Sequence, residues 1–203
     1  MPSDPTAPDV VLVRHGETEW TLSRRHTGNT DIPLTDEGRR QGQQLGRRLA
    51  ADGDQFARVL SSPLARALET CREAGFGDRV EVRDELREWD YGDYEGRTSA
   101  DIRRSAPDWL LWDDGVPDGE TIDQVAARVD RVIADLRSPG GPGGPAVVFA
   151  HGHLLRVFGA RWLGQPPTLG AHLNLGPASL CRLGWEHGIP SITLWNERSH
   201  LAR

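Results

Sequence analysis

Short apolar runs alternate with longer segments of helical periodicity along most of the chain. The apolar runs predict strands at residues 10–13, 57–60, 80–82 and 146–150, with two later strands near 178–183 and 189–194. The periodic segments predict a helix capped by Thr35, one starting at Ser62 and Pro63, one over 121–137 and one from about 154 to 163. Strands that alternate with helices favour an α/β fold, here a three-layer sandwich with a mostly parallel central sheet flanked by helices.

The length and the Pro- and Gly-rich segments set the limits of the domain. A chain of 203 residues predicts a single domain over 1–203, with a small helical lid insert at about 84–120. Residues 1–8 predict a loose tail, and the run of Pro and Gly at 139–145 predicts a flexible surface loop.

The charge of the chain narrows the classes of ligand. All 24 basic residues are Arg, none is Lys, and 30 acidic residues give a net charge of −6. Such a chain is a poor candidate for binding nucleic acid, and any site for an anion must be built from Arg, His and backbone amides. The absence of a long apolar run and of a signal segment predicts no membrane association and a cytoplasmic protein. Cys71 and Cys181 lie too far apart in sequence, with no metal-ligand spacing, to predict a disulfide framework or a metal site.

Two strands end in a similar pattern of His and Gly. The first runs into Arg14, His15 and Gly16, and the strand at 146–150 runs into His151, Gly152 and His153. Because ligands of parallel sheets bind outside the carboxyl ends of the strands, this pattern predicts two imidazoles at one edge of the sheet. A glycine after each histidine would let the backbone approach a ligand closely.

A third strand end adds Arg66, in the first turn of the helix that follows residues 57–60. These residues could be ordinary polar side chains at strand ends, ligands of a metal, or a site for an oxyanion. Adjacent arginines would repel a metal ion, whereas guanidinium groups suit a phosphoryl group and an imidazole can act as its nucleophile. The pattern therefore favours phosphoryl transfer through a phosphohistidine. The carboxylate-rich stretch 84–96 could supply a proton donor, but spacing alone does not choose among its acids.

The chain resembles the histidine phosphatase superfamily, in its phosphoglycerate-mutase-like branch, in four ordered blocks. The blocks lie at residues 12–18 (LVRHGET), 61–67 (SSPLARA), 86–96 (LREWDYGDYEG) and 150–156 (AHGHLLR). The resemblance implies that His15 is the nucleophile and that Glu88 donates a proton and then activates water. It also implies that Arg14, Arg66 and His151 form the phosphate pocket, that no metal or other cofactor takes part, and that the rate is highest on the acid side of neutrality.

Departures from the mutases favour hydrolysis over phosphoryl return. Thr21 stands where the mutases carry Asn, Trp89 where they carry Arg, and the Lys of their substrate clamp is absent. Residues 78–123 hold 15 acids and 6 Arg, a poor composition for gripping a bisphosphoglycerate. The interpretation is a phosphomonoester hydrolase of the acid phosphatase type, with a phosphoglycerate mutase and a catalytically silent phospho-ligand binding module as alternatives.

The sequence predicts the chemical class of the substrate but not the individual compound. A narrower resemblance to sedoheptulose-bisphosphatase-like members implies a sugar phosphate, whereas the aromatic residues between 89 and 112 would suit broad or aryl-phosphate specificity if they line the pocket. We expect a small phosphorylated substrate to be the partner, and a homodimer stays open. Substrate contacts are expected from Thr21, Thr27, Gly28, Gly152 and His153. Arg24 and Arg25 could rim the pocket because they lie between two motif blocks, but we expect a solvated pair. The remaining histidines, without flanking motifs, are expected in surface or loop positions: His26, His172, His187 and His200.

Overall fold

The computed structural model describes residues 9–138 and 144–201. Its strands are β1 (Val10–Arg14), β2 (Arg58–Ser61), β3 (Val80–Val82), β4 (Ala146–Ala150), β5 (Leu180–Glu186) and β6 (Ile189–Glu197). Its α-helices are α1 (Glu19–Ser23), α2 (Asp36–Ala51), α3 (Ala65–Glu73), α4 (Ser99–Arg103), α5 (Leu111–Asp114), α6 (Ile122–Leu136) and α7 (Gly152–Trp162). The tail predicted at 1–8 lies outside the described residues, as does most of the predicted loop at 139–145.

The strands form one six-stranded sheet in the order β3-β2-β4-β1-β5-β6. The four strands β3, β2, β4 and β1 are parallel, while β5 pairs antiparallel with both β1 and β6. Val148 in β4 lies beside Leu12 of β1 on one side and Leu60 of β2 on the other. The carboxyl ends of β1, β2 and β4 therefore meet at one edge, as the strand-end pattern predicted.

Helices cover both faces of the sheet, which confirms the predicted α/β class. Val10 and Leu12 of β1 belong to a core cluster that includes α6 and α7, whereas Val11 and Val13 belong to a second cluster with α2 and α3. Because β1 is buried on both faces, its sequence is a continuous apolar run rather than an alternating one.

Two helices begin at positions that the sequence did not predict. The helix after β2 begins at Ala65 rather than at Ser62 and Pro63, with Leu64 as its N-cap residue. The hydroxyl of Ser62 accepts from the Leu64 N–H at 3.3 Å and from the ring of His151 at 2.7 Å. Helix α7 begins at Gly152, two residues before its predicted start. Its first free N–H groups are capped by a side chain from a distant segment, and such a cap leaves no local signal. The predicted N-cap at Thr35 is confirmed, with the Gly38 N–H donating to its hydroxyl at 3.0 Å.

The segment between β3 and α6 contains no strand in the described structure. Its regular structure consists of α4, α5 and two short 3₁₀ turns, Asp84–Leu86 and Gly92–Tyr94. We call residues 84–120 the acid segment. Among the described helices, none has the length and apolar character to span a membrane.

Candidate active site

A cavity of about 580 Å³ opens at the carboxyl ends of β1 and β4. Seven of the residues selected from the sequence line it: Arg14, His15, Thr21, Thr27, Glu88, Gly152 and His153. Glu88 is the one carboxylate among the described residues that line this cavity, although the acid segment carries many others. The cavity therefore distinguishes Glu88 from its neighbours, which spacing in the sequence could not do.

His15 is 3% exposed and presents one ring nitrogen for chemistry. Its Nδ1–H donates to the carbonyl oxygen of Gly16 at 2.8 Å, since that oxygen can only accept. Burial, with the positive charges of Arg66 and Arg14, holds the pKa of His15 well below 6.5. The ring is therefore neutral at pH 7, with its lone pair on Nε2.

His151 lies behind His15, with ring centroids 5.3 Å apart, and is fully buried. Arg66 Nε donates to its Nδ1 at 3.2 Å, so the ring carries its proton on Nε2 and donates to Ser62 Oγ at 2.7 Å. Burial, then Arg66, lowers the pKa of His151. Arg66 and His151 are not among the residues that line the cavity. They form a fixed layer beneath His15.

The guanidinium of Arg66 is held by the backbone of the loop at 27–30. Its Nη2 donates to the carbonyl oxygens of Thr27 and Gly28 at 3.0 and 2.9 Å, and its Nη1 donates to that of Thr30 at 3.0 Å. Glu95 fixes this loop, because its carboxylate accepts from the N–H groups of Gly28 and Thr30. A Cβ on Gly28 would lie 2.6 Å from the Glu95 carboxylate. Gly28 thus serves Arg66 and does not line the cavity.

Arg14 reaches the cavity from the end of β1. Its Nη1 donates to the carbonyl oxygen of Leu175, while its Nε is buried without a hydrogen-bond partner among the described residues. A Cβ on Gly152 would lie 3.2 Å from the Arg14 Cζ, so the glycine after His151 makes room for this guanidinium. A guanidinium among the lining residues of the cavity suits a phosphoryl oxygen.

Glu88 is 6% exposed and lies against the first turn of α7. Its Oε1 accepts from the N–H groups of Trp89 and Leu154 at 3.0 and 2.8 Å, and its Oε2 accepts from that of His153 at 3.1 Å. These bonds cap α7 and hold the carboxyl group at the cavity. They explain why α7 begins earlier than predicted.

Neutral rings form one wall of the cavity. The hydroxyl of Tyr91 and Nδ1 of His153 share a hydrogen bond of 2.5 Å, and His26 packs 4.9 Å from Tyr91 between ring centroids. Burial raises the pKa of Tyr91, lowers that of His153 well below 6.5, and lowers that of His26 to about 4. His26 lies in a loop, as expected, but it is half-buried and lines the cavity. Its N–H donates to the Arg97 carbonyl, so a contact distant in sequence places it in the cavity.

The other three histidines without flanking motifs differ in exposure. The side chain of His200 is buried, against the expectation, and it contacts Glu197 and the Ala178 carbonyl. His172 and His187 are exposed, as expected. Of the five aromatic residues at 89–112, Tyr91 alone is among the lining residues of this cavity. All five pack in or against one core cluster: Trp89, Tyr91, Tyr94, Trp109 and Trp112.

Several further cavity residues were missed or treated as solvated by sequence reasoning, four of them with large side chains. Trp20 and Arg156 had no motif that pointed to substrate, although Arg156 lies one turn after His153 on α7. Arg24 and Arg25 are exposed yet also line the cavity. Their position between the first two motif blocks was the available signal. Within the described ranges, no three His, Cys, Asp or Glu side chains converge as ligands of a metal ion.

Comparison with known proteins identifies the family. The sequence model of the histidine phosphatase superfamily (branch 1) matches residues 10–198, and the chain belongs to this superfamily. An acid phosphatase of Mycobacterium tuberculosis is 38% identical over 94% of this chain and 93% of its own. Sedoheptulose 1,7-bisphosphatase of Saccharomyces cerevisiae is 37% identical over 81% of this chain and 70% of its own. The predicted histidine phosphatase is thereby confirmed.

A solved structure supports the same assignment. The product of a Mycobacterium tuberculosis open reading frame superposes with a TM-score of 0.86 and 38% sequence identity, covering 93% of this chain and 97% of that one. The fold predicted from the strand and helix pattern is thus the fold of this superfamily.

Proposed function

We propose that the protein hydrolyses phosphomonoesters through a phosphohistidine formed on Nε2 of His15. The observation that carries the proposal is the state of the His15 ring: Gly16 fixes its tautomer and burial keeps it neutral, beside Arg14 in the cavity. A neutral imidazole at the cavity, with its lone pair on Nε2 and a guanidinium beside it, is the arrangement that nucleophilic attack on a phosphoryl group requires.

The proposed reaction has two steps. His15 Nε2 attacks phosphorus, an N–P bond forms, the ester P–O bond breaks, and the carboxylic acid of Glu88 gives its proton to the departing alkoxide. Glu88, now a carboxylate, takes a proton from water, whose oxygen attacks phosphorus. The N–P bond breaks, inorganic phosphate leaves, and both His15 and Glu88 return to their starting states.

We assign the phosphoryl group to Arg14 in front and to the layer of Arg66 and His151 beneath. Arg14 has a donor without a partner among the described residues. Arg66 contributes a fixed positive charge, and its hydrogen bond to His151 orders the layer beneath His15. Fixed charges of this kind stabilise the oxygens of the transferring group without reorganisation. The requirement for protonated Glu88 in the first step predicts a rate optimum on the acid side of neutrality.

The substrate we propose is a small phosphomonoester, with a sugar phosphate or a broad range of esters as the class. The names of the two relatives, an acid phosphatase and a sugar bisphosphatase, support this range. Contacts to the leaving group are assigned to Thr21, Thr27, Gly152 and His153, all of which line the cavity, while Gly28 acts through Arg66. The acid segment is the proposed lid insert of a single domain, since Glu88, Tyr91 and Ser99 bring it to the cavity.

A reducing compartment fits the cysteines. Cys71 and Cys181 are both buried and unpaired, and burial raises the pKa of each thiol to about 12. Unpaired thiols are typical of cytoplasmic proteins, which supports the cytoplasmic location that we propose.

Labelling with a phosphorus-32 phosphomonoester, quenched in alkali to preserve phosphohistidine, tests the proposal. We expect labelled protein that decays to free phosphate, no label in His15→Ala, and wild-type labelling in His187→Ala, which alters an exposed imidazole. Transfer of the label to added phosphoglycerate would instead indicate a mutase. Bound substrate that is never cleaved would indicate a silent binding module, and full turnover by His15→Ala would overturn the mechanism.

A further inference from the structure

A pair of side chains, the half-buried Glu120 and the buried Arg128, contacts the backbone around Glu88 and is outside the lining of the cavity. Arg128 belongs to α6, is 8% exposed, and donates from Nε and Nη2 to the two carboxylate oxygens of Glu120, at 2.8 Å each. We propose that this pair positions the Glu88 carboxyl group for proton transfer. The inference rests on the proposed function, in which Glu88 is the acid and base.

The remaining donors of Arg128 all go to the backbone around Glu88. Its Nη1 donates to the carbonyl oxygens of Glu85, at 2.8 Å, and of Arg87, while its Nη2 also donates to that of Glu88 at 3.1 Å. All five N–H groups of the guanidinium are therefore used, two by the Glu120 carboxylate and three by the backbone carbonyls of Glu85, Arg87 and Glu88. A single guanidinium thus fixes the chain on the amino-terminal side of the Glu88 side chain.

Glu120 fixes the chain on the other side. Its Oε2 accepts from the N–H of Asp90 at 3.0 Å, its carbonyl accepts from Trp89 Nε1 at 2.8 Å, and its own N–H donates to the Asp90 carbonyl at 3.0 Å. Together the pair holds the backbone from residue 85 to residue 90. This stretch has no strand or α-helix to fix it otherwise.

Positioning matters at Glu88 because proton transfer depends steeply on geometry. The α7 N–H groups hold the carboxylate in front, and the pair holds the backbone behind, so the side chain has little freedom. Neither Glu120 nor Arg128 lines the cavity, so neither can contact substrate there. Lysine at 128 would keep the charge but could not reach five acceptors, and a displacement of about 1 Å at a reacting group can cost about 100-fold.

Leaving-group dependence separates a positioning role from a merely structural one. An alkyl phosphate requires a proton on its departing oxygen, whereas 2,4-dinitrophenyl phosphate releases a stable phenolate without one. We expect Arg128→Lys to lower kcat/KM for an alkyl phosphate about 10- to 100-fold and to change kcat/KM for the dinitrophenyl ester less than about threefold. We call this difference between the effects on the two substrates the split. Glu120→Gln, which keeps the size of the side chain, is expected to give a smaller split in the same direction.

The reference variant is Glu88→Gln, which is expected to show the largest split. If Glu88→Gln shows no split, the acid role in the proposed function fails. If Glu88→Gln shows the split but Arg128→Lys and Glu120→Gln lower both substrates equally or leave both unchanged, the positioning inference is overturned while the proposed function stands.

The matched control is Arg161→Lys. Arg161 makes a similar two-pronged pair with Asp130, with Nε and Nη2 each 2.9 Å from a carboxylate oxygen, between α7 and α6. It touches no part of the acid segment through these bonds, so its loss should leave the ratio of the two substrates at the wild-type value. A split in Arg161→Lys equal to that in Arg128→Lys would show that any loosening of α6 suffices, and would overturn the specific role of the pair.

Discussion

Two regions of the candidate site are held in place by different structural elements. One is the acid segment, and the other, which we call the phosphate side, consists of Arg14, His15, Arg66 and His151. On the phosphate side, Arg14, His15 and His151 stand at the ends of strands β1 and β4, so sheet hydrogen bonds fix their backbone. In the acid segment, Glu88 stands on irregular chain held by side chains from elsewhere, above all Arg128. In the proposed mechanism, the sheet would therefore set the place of the phosphoryl group, while a few polar contacts between side chains and backbone would set the place of the proton.

The two regions also differ in charge. The phosphate side brings Arg14 and Arg66 together with imidazoles that burial keeps neutral. The surrounding stretch 78–123 carries 15 acids against 6 Arg, and most of the ion pairs there lie on the surface, away from the cavity. Loss of a phosphate-side group should therefore lower the rate for all substrates alike. Changes in the wall of neutral rings should instead affect some substrates more than others.

The largest effect is expected from Arg14→Met. The variant removes a guanidinium from the lining of the cavity, where the proposed mechanism places the phosphoryl oxygens, so kcat/KM should fall about 100- to 1,000-fold for alkyl and dinitrophenyl phosphates alike. Steady-state kinetics with both esters measures this. A split between them as large as that of Glu88→Gln would contradict the division between the two regions.

Stability should fall as the pH drops below 6.5. His15, His151 and His153 have folded-state pKa values well below 6.5, and that of His26 is about 4, so the unfolded chain binds more protons there. The stabilisation is present above pH 6.5, and each imidazole removes about 1.4 kcal/mol per pH unit below it until its folded pKa is reached. Urea unfolding at pH 7.5, 6.5 and 5.5 measures the slope.

Histidine variants show which imidazoles cause the pH dependence of the free energy of unfolding. His153→Gln should reduce the dependence between pH 6.5 and 5.5, by up to about 1.4 kcal/mol per unit, whereas His187→Gln, at an imidazole 89% exposed, should not change it. A free energy of unfolding that is flat from pH 7.5 to 5.5 would show that the buried rings titrate normally.

A change in the wall of neutral rings should alter the selectivity between two substrates by about tenfold. His153→Phe removes the ring nitrogens that Tyr91 and a substrate hydroxyl can use, so KM for a sugar phosphate should rise roughly tenfold, the worth of about one hydrogen bond. KM for phenyl phosphate, which offers no hydroxyl, should change less. An equal change for the two substrates would remove His153 from the leaving-group contacts.

The smallest effect is expected from Gly152→Ala. The new methyl would lie 3.2 Å from the Arg14 Cζ, so the guanidinium must give way by a few tenths of an ångström. We expect inorganic phosphate to inhibit about three- to tenfold more weakly, with little change in melting temperature. Unchanged inhibition would show that Arg14 can move without loss of phosphate binding.

The same comparison explains what could be predicted from the sequence. The α/β class and the residues at the strand ends were predictable, because a buried parallel strand is a continuous apolar run and its end is visible as His-Gly. Glu88 could be chosen only by family resemblance, since 84–96 contains several acids with equivalent spacing. The capping of α7 by Glu88 and the burial of His26 depend on contacts between distant segments, which local sequence does not reveal.

The central claim is a double displacement at phosphorus through His15. The most direct test is phosphoryl transfer to an acceptor alcohol from a phosphomonoester made chiral with oxygen-16, oxygen-17 and oxygen-18 on phosphorus, with the configuration of the product ester determined. Each in-line displacement inverts phosphorus, so attack by His15 followed by attack of the acceptor predicts overall retention. Inversion would mean a single direct displacement and would contradict the phosphohistidine mechanism.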